Sequence, residues 1–279
     1  MTMPWEAVVA ALIAAVMHAA WNAGLKGGKD RLLDAALLFS VAGAVGLVST
    51  LFAPAMNAEA ALWVVITGIL HLPYVYYLAR AYELGELSHV YTIARGLPPL
   101  MITGLAALAV GEIPTPIATF GIALISLGIL TVGMSPGAHR QGTIIAALVA
   151  VTIAFYSVSD GIGVRAAGSA VAYNGRVFFA VGAATMAMAL ILRGPAAIVP
   201  YARANWRRAV IGGVLSFVSY GLVLWAMTFA SIAGVSAFRE TSVVFAALIG
   251  ILFFGEAAGP RRIIGALIVA LGAVVLKVG

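Results

Sequence analysis

Residues 143–160 read TIIAALVAVTIAFYSVSD, seventeen uncharged and mostly apolar residues that end at an aspartate. A helix needs about 20 such residues to cross the hydrocarbon core of a bilayer. Similar blocks fill the rest of the chain, which has 279 residues, 63% of them hydrophobic and only 9% charged. Soluble domains carry about 25% charged residues, so this chain has too little polar surface for a water-soluble globule. The sequence therefore predicts an all-α integral membrane protein.

The apolar blocks predict ten transmembrane helices, separated by short polar or Gly- and Pro-rich breaks. The predicted spans are residues 4–25, 32–53, 60–82, 86–110, 115–134, 142–164, 169–192, 206–229, 233–254 and 260–278. A polar break divides them into a first five-helix repeat at 1–134, a linker loop at 135–141 and a second five-helix repeat at 142–279.

The two halves resemble each other in sequence. When residues 76–133 are set against 220–277 at a constant offset of 144, ten positions are identical, and one of them pairs Arg95 with Arg239. An odd number of spans in each repeat means that the second copy inserts upside down. Inverted repeats are common in secondary transporters, which bind substrate near the midplane where the repeats meet. The sequence predicts this architecture.

The composition excludes several classes of function. Cysteine is absent, which removes disulfides, thiolate metal sites and a cysteine nucleophile. Four histidines without a HExxH pattern, few carboxylates and no GxxxxGK[ST] loop argue against an enzyme and against a nucleotide-driven pump. We therefore predict no catalytic residue, no metal and no cofactor. A net charge of +6 suits anionic lipid headgroups, so the expected partners are the bilayer and a small-molecule substrate, not nucleic acid.

The Lys and Arg residues also predict an orientation. Arg165 and Lys277 lie on one side, whereas the loops after spans 1, 3, 5, 7 and 9 hold Lys26, Lys29, Arg31, Arg80, Arg140, Arg193, Arg203, Arg207, Arg208, Arg261 and Arg262. The richer side is expected to be cytoplasmic, which puts both termini outside a bacterial-type inner membrane.

Charged residues inside the spans are Arg95, Asp160, Arg176, Arg239 and Glu240. Each costs about 2.5–3.5 kcal/mol at a helix centre, so we expect them to be paired, to face a cavity or to be functional. Two guanidiniums on one cavity would favour a carboxylate or phosphate. The alternative is that each arginine pairs with Asp160 or Glu240 and holds a kinked helix together.

Span 4 carries a polar stripe that ends at a predicted kink. Ser88, Tyr91 and Arg95 recur at helical spacing on one face. Residues 96–99, Gly-Leu-Pro-Pro, then interrupt the backbone hydrogen bonds, which at membrane depth is tolerated only beside protein or a wet cavity. The pattern predicts the wall of a central cavity.

Polar and aromatic residues on other spans extend the candidate substrate site. A box of rings can hold an organic ligand by stacking or cation–π contact, although Tyr and Trp also collect at membrane interfaces. These further candidates are His18, Trp21, Asn22, His71, Tyr74, Tyr77, Tyr156 and Tyr220. Asp160 and Glu240 are candidate counter-ions or proton carriers. Glu112 and Glu256 each follow a glycine before a new helix, which predicts a structural role at a helix N-terminus.

The stretches HAAWNAGLK (18–26) and ELSHVYTIARGLPPL (86–100), with the repeated Gly-Glu before Gly-rich spans 5 and 10, resemble the EamA-type branch of the drug/metabolite transporter superfamily. The resemblance covers the whole chain. It implies secondary transport or export of small metabolites, such as amino acids, amines or organic acids, by alternating access through a cavity lined by spans 1, 3, 4, 6, 8 and 9. It also implies cytoplasmic termini, whereas the Lys and Arg residues of this sequence predict termini on the outside. We expect the orientation that the Lys and Arg residues predict.

Two functions stay open at this stage. The first is a secondary transporter, an exporter, of a small polar metabolite such as an amino acid or organic acid, with Arg95 and Arg239 as anion anchors. The second is an exporter of amines, quaternary ammonium compounds or drug-like cations that uses Asp160 or Glu240. Two joined repeats already complete a cavity, so a monomer is expected.

Overall fold

The computed structural model describes residues 3–24, 29–84, 87–133, 140–254 and 259–279, and within these ranges the secondary structure is helical, without strands. The helices are α1 (Trp5–Gly24), α2 (Arg31–Thr50), α3 (Ala58–Leu84), α4 (Leu87–Gly96), α5 (Pro98–Val110), α6 (Pro116–Gly133), α7 (Arg140–Ala167), α8 (Ala170–Arg193), α9 (Pro195–Met227), α10 (Ile232–Glu240), α11 (Ser242–Phe254) and α12 (Pro260–Val278).

These helices confirm an all-α integral membrane protein. Nine segments of the described chain are long and apolar enough to cross a membrane, with α4–α5 and α10–α11 each forming one of them. The tenth predicted span is α12, which carries Arg261, Arg262 and Lys277 near its ends. Large apolar side chains lie on the outside of the bundle, where Phe52 and Leu108 are each 86% exposed, as a lipid-facing surface requires.

The eighth span begins earlier than predicted. We expected it at 206, whereas α9 begins at Pro195. Pro195 occupies the first helical turn, where a missing N–H costs nothing. Pro200 lies in the second turn and removes one backbone hydrogen bond without ending the helix. Of the predicted linker loop, residues 135–139 lie outside the described residues, and Arg140 already begins α7.

Spans 4 and 9 break at equivalent positions. Helix α4 ends at Gly96 and α10 at Glu240, so both interruptions keep the offset of 144 found in the sequence. In span 4 the two prolines after Leu97 supply no N–H. In span 9 the Thr241 hydroxyl donates to the Phe238 carbonyl at 2.6 Å, a local bond that bends helices. Different residue types thus produce the same break.

The helices of the two halves pack in corresponding pairs. Helix α1 packs against α9 as α3 packs against α7, while α2 pairs with α8 and α6 with α12. Exchange of the two halves turns the α1–α9 pair into the α7–α3 pair and leaves the α2–α8 and α6–α12 pairs unchanged. The division into inverted repeats stays a prediction, and this packing is the arrangement that it requires. The broken spans lie inside the bundle, where α10 contacts α5, α7 and α9.

Helices α6 and α12 approach so closely that their backbones touch at glycines. A Cβ atom on Gly128 would lie 2.7 Å from the Val269 nitrogen and 2.8 Å from the Gly265 oxygen. Gly121, Gly265 and Gly272 face equally short distances across this interface. Small residues permit such close approach in membranes, where van der Waals contact replaces hydrophobic burial as the force between helices.

Gly128→Ala should therefore lower the stability by about 1–3 kcal/mol, because the added methyl group forces the two backbones apart. A matched control is Gly104→Ala on α5, where an added Cβ has no neighbour within 4 Å. The control should raise stability by about 0.5–1 kcal/mol through the lower flexibility of alanine. Thermal unfolding in detergent measures both, and equal melting temperatures would contradict the packing described here.

Candidate functional site

The charged centre of the bundle consists of two arginines and one glutamate. The Arg239 guanidinium donates from Nε (3.2 Å) and Nη2 (2.7 Å) to Oε1 of Glu240. Nη1 of Arg95 lies 3.6 Å from the same oxygen. Glu240 is fully buried, and both arginines are nearly so. Two positive charges thus share one negative charge at membrane depth.

The two arginines come to this centre from opposite halves because each stands in the last turn of a broken helix. Arg95 lies one residue before the end of α4, and Arg239 one residue before the end of α10. A cation in the last turn interacts favourably with the free carbonyl groups there. Both arginines lie close to Glu240, and pairing with this carboxylate was the alternative to anion binding that the sequence left open.

A group of aromatic rings adjoins these charges. The His71 ring stacks on Tyr156 with centroids 4.4 Å apart, and Tyr74 meets both rings edge-on at 5.6–5.7 Å. The Nδ1 atom of His71 lies 2.9 Å from the Thr67 carbonyl oxygen. Tyr156 is close enough to Arg95 and Arg239 to interact electrostatically with both. Helices α3 and α7 thus bring three of the predicted rings together beside the charged centre.

Several buried polar atoms near this centre have no hydrogen-bond partner among the described residues. They include Nε2 of His18, Nε1 of Trp21, Oγ of Ser236 and Oε2 of Glu240. His18 interacts electrostatically with both arginines, and the Arg95 guanidinium lies 5.7 Å from the centre of the Tyr91 ring. Buried polar atoms are normally satisfied, so such a cluster of donors and acceptors is typical of a ligand site.

Asp160 lies in a separate group of hydroxyls. Its Oδ1 accepts from the Thr67 hydroxyl at 2.7 Å and from the Tyr173 hydroxyl at 3.0 Å, and its Oδ2 accepts from Tyr220. The Tyr220 ring in turn lies 5.8 Å from the Arg239 guanidinium. Asp160 is fully buried. Tyr220 therefore connects the hydroxyl group around Asp160 with the charged centre.

Two predicted site residues lie apart from this arrangement. The side-chain amide of Asn22 donates to the His18 carbonyl within its own helix at 2.8 Å. The Tyr77 ring contacts Tyr76, which is about half exposed. In-span Arg176 donates back along its helix to the Ala172 carbonyl. We call the residues that do adjoin the charged centre the central cluster, and they are His18, Trp21, His71, Tyr74, Tyr91, Arg95, Tyr156, Tyr220, Arg239 and Glu240.

Sequence reasoning missed Thr67 and Tyr173. Each is a single polar side chain in an apolar span, a pattern that also fits a structural residue. The structure gives one signal for Tyr173: its ring lies directly against Gly163, where a larger residue would occupy the same space. The sequence does not show this contact.

The end of the bundle that carries the termini, here the terminal end, is tied together by an ion pair. Nη2 of Arg165 lies 2.5 Å from Oε1 of Glu112. Arg165 also donates to the carbonyls of Met227 and Ala230 at 2.8 Å. Oε2 of Glu112 accepts from the Ile232 N–H, the first of α10. Glu112 thus does lie at a helix N-terminus, but at that of span 9 and not of the following span 5. Gly255-Glu256 lies outside the described residues.

Further bonds join the halves at the terminal end. The Asn57 amide donates to the Ala166 carbonyl, Lys277 Nζ to the Met3 carbonyl and the Thr115 hydroxyl to the Gly279 carbonyl, all at 2.7–2.9 Å. These contacts place both ends of the described chain beside Glu112 and Arg165. The loops between spans 2–3, 4–5, 6–7 and 8–9 meet at this end.

The opposite end carries an ion pair of its own. Nε of Arg193 lies 2.8 Å from Oδ2 of Asp30. Burial alone would raise the pKa of Asp30, but the hydrogen bonds from Arg193 and from the backbone N–H groups of Leu33 and Leu32 lower it overall. The Asp30 carboxylate also caps the N-terminus of α2. This pair joins α2 and α8 at the outside of the bundle.

The described residues include no group of three or more His, Asp or Glu side chains placed to hold a metal ion. The described side chains at the centre supply charges, hydrogen-bonding groups and aromatic rings. Such a set can bind a small polar molecule.

Comparison with known proteins supports this fold. The model of the EamA-like transporter family matches residues 140–278. One solved crystal structure, of a protein given no further name, is 20% identical over 97% of this chain and 98% of its own, with a TM-score of 0.78. At that identity the likeness shows the fold alone. No curated protein matches the chain.

The shared carboxylate predicts a large effect of Glu240→Gln. The substitution leaves two buried guanidiniums without a negative partner, which should cost about 3–5 kcal/mol and lower the melting temperature in detergent. Glu59→Gln, at an exposed position in the first turn of α3, is the control and should change stability by less than about 0.5 kcal/mol. Equal melting temperatures for the two variants would mean that Glu240 does not compensate the arginines.

Proposed function

Because the chain belongs to the EamA-like transporter family, we propose that it is a secondary transporter that exports a small polar metabolite. The substrate class is an amino acid or an organic acid, a molecule with at least one carboxylate. The binding site is the central cluster. We expect no catalytic turnover, and the partners are the substrate and the surrounding lipid.

The observation that carries this proposal is the unequal state of the two arginines. Arg239 makes two hydrogen bonds to Glu240. Arg95 lies 3.6 Å from Glu240, and within the described residues its guanidinium makes no hydrogen bond of ordinary length. A buried guanidinium normally satisfies its N–H groups, and a carboxylate is the partner that matches their planar geometry. We assign Arg95 the role of substrate anchor and Arg239 that of holding Glu240.

The surroundings of Arg95 support an organic ligand. Trp21 and His18 contribute unpartnered buried polar atoms on span 1, and the Tyr91 ring on span 4 lies beside the Arg95 guanidinium. The stacked rings of His71 and Tyr156 lie on the side of spans 3 and 6. Binding sites for small molecules combine apolar and aromatic walls with a few polar groups that fix orientation. The central cluster has this composition.

The second candidate function, export of an amine or a quaternary ammonium compound, is favoured by one atom. Oε2 of Glu240 is buried and accepts no hydrogen bond from a described residue, so it could accept from an ammonium group. Asp160 is less suited, because both of its oxygens already accept from hydroxyls. A cation would thus bind at Glu240.

For the transport cycle we propose alternating access between the two halves. In this proposal the Glu112–Arg165 pair, which joins the end of span 4 to the end of span 6, closes the terminal end. Exposure of the central cluster at this end requires that pair to separate. From the distribution of Lys and Arg we propose that the terminal end faces outward from an inner membrane. Because two joined repeats already complete a cavity, we propose that the protein acts as a monomer.

A thermal-stability screen tests the substrate class. We expect amino acids or organic acids to raise the melting temperature, by an amount equivalent to about 2.7 kcal/mol at 100 times the dissociation constant. Arg95→Ala should abolish this stabilisation, because the carboxylate loses its anchor. The panel also includes amines and quaternary ammonium compounds.

Arg176→Ala is the control for the screen, since Arg176 is an in-span arginine that bonds only along its own helix in the described structure. This variant should keep the ligand response of the wild type. Stabilisation by cations alone, unchanged in Arg95→Ala, would overturn the first function in favour of the second. If no compound of any class stabilises the wild type, the central cluster is not the site of such a ligand.

The proposed separation of the Glu112–Arg165 pair predicts a change in accessibility at the terminal end. The chain has no cysteine, so a single Ala226→Cys reports on one position without background. Ala226 is fully buried beside Met227, whose carbonyl accepts from Arg165. Arg165→Gln removes the ion pair, and we expect a membrane-impermeant maleimide to label the cysteine faster.

Arg193→Gln provides the matched comparison, because it breaks the ion pair at the opposite end of the bundle. Labelling of Ala226→Cys should then stay at the wild-type rate. Faster labelling in both backgrounds would indicate general loosening, and unchanged labelling in Arg165→Gln would show that the pair does not close this end.

A further inference from the structure

The two buried carboxyl groups of the central region have partners of different chemistry. Glu240 accepts from guanidinium groups, which can only donate hydrogen bonds. Asp160 accepts from three hydroxyls, and a hydroxyl can both donate and accept. The two acids therefore differ in how each could respond to a proton.

Protonation of Glu240 would leave Arg95 and Arg239 with no anion between them. Two like charges would then remain buried side by side, which is strongly unfavourable. The guanidiniums lie at Oε1 and cannot accept a proton, so the added proton would lie on Oε2, which has no hydrogen-bond partner among the described residues. The geometry therefore keeps Glu240 ionised.

Protonation of Asp160 requires only that one hydroxyl reverse. A protonated Asp160 can donate from one oxygen to the hydroxyl oxygen of Thr67, Tyr173 or Tyr220 while the other two continue to donate. No Lys, Arg or His of the described chain lies within ion-pair distance of Asp160, so no salt bridge is broken. The hydroxyl group around Asp160 can accommodate both the carboxylate and the acid.

The helices packed against α7 define the charges around Asp160. Helix α3 contributes Thr67 and His71, α8 contributes Tyr173, and α9 contributes Tyr220. Helix α4 carries Arg95, and α10 carries Arg239 and Glu240. Helix α5 has no titratable residue. Arg239 is the cation that acts on Asp160, across the ring of Tyr220.

We infer that Asp160 is the carboxyl group that binds and releases the coupling proton of the transport cycle, while Glu240 stays ionised. This inference rests on the proposed transport function. A proton from water forms an O–H bond at Asp160 on one side of the membrane, and the same bond breaks to return the proton to water on the other. The change removes one negative charge near Arg239.

Charge balance then links the proton to the substrate. Arg95, Arg239, Asp160 and Glu240 sum to zero, and a bound monoanion would leave one excess negative charge at membrane depth. A proton on Asp160 restores neutrality and leaves the arginines a stronger attraction for the anion. A monoanionic substrate and the proton therefore cross together, and export of the pair is driven by the outward gradient of the substrate.

Infrared difference spectroscopy tests the assignment with protons as the only probe. The purified protein is titrated with acid, and the carbonyl stretch of a protonated carboxyl group is followed. We expect Asp160→Asn to lose a band that the wild type shows and Glu240→Gln to retain it. Tyr220→Phe removes one donor to the carboxylate, so the midpoint of that band should rise by about one pH unit.

Each outcome decides the assignment. Identical titrations of wild type and Asp160→Asn would overturn it, and loss of the band in Glu240→Gln instead would transfer the proton site to Glu240. If Asp160→Asn does not fold, the midpoint shift in Tyr220→Phe still tests the same carboxyl group, and an unshifted midpoint overturns the assignment.

A flux assay then separates this inference from the proposed function. In proteoliposomes, an imposed pH gradient should drive the panel compound that stabilises the protein, and Asp160→Asn should lose this response at least tenfold while it keeps exchange. Flux that ignores the gradient in the wild type would overturn proton coupling and leave transport standing. If Asp160 titrates but no compound is transported, the proton site stands and the proposed transport function is overturned.

Discussion

A charge at membrane depth has no water to solvate it, so its compensation has to come from the protein. In this chain two guanidiniums depend on one carboxylate, because Arg95 and Arg239 both lie at Oε1 of Glu240. The rest of the centre follows from that shortage of negative charge. Arg239 donates the hydrogen bonds to Glu240, and Arg95, which lies 3.6 Å from the same oxygen, is the arginine that we propose to bind a further partner. The surrounding rings and unpartnered polar atoms make sense around an unsatisfied cation.

The broken spans are what bring this centre into existence. Arg95 and Arg239 come from different halves, and each is positioned by a helix that stops within two residues. Neither arginine would lie at a helix end if spans 4 and 9 were unbroken. The break lets each side chain lie at the end of a short helix, against its carbonyl groups. The two breaks share an offset of 144, although one contains prolines and the other a threonine. Different residue types therefore produce the same helix break in the two halves.

The two ends of the bundle are held by different means. At the terminal end, Glu112 and Arg165 tie spans 4, 6, 8 and 9 together around the axis of the bundle. At the opposite end, the Asp30–Arg193 pair joins α2 and α8 on the outside. We propose that the pair at the terminal end separates to give access to the centre, whereas the pair on the outside holds α2 and α8 together. Between the ends, the glycine contacts of α6 and α12 fix one flank of the bundle.

Length, hydropathy and breaks along the chain were enough to predict the class of fold, the ten spans and the kink after Gly96, because these properties depend on consecutive residues. The sequence also located the buried charges, since a charged residue in an apolar block is visible without a structure. The partners of those charges were decided only in three dimensions. Arg239, which donates both hydrogen bonds to Glu240, is its neighbour in the chain, but Arg95 and the hydroxyls of spans 3, 7 and 8 around Asp160 come from other helices. Partner choice depends on distances between helices far apart in the chain, and helical periodicity carries no information on those distances.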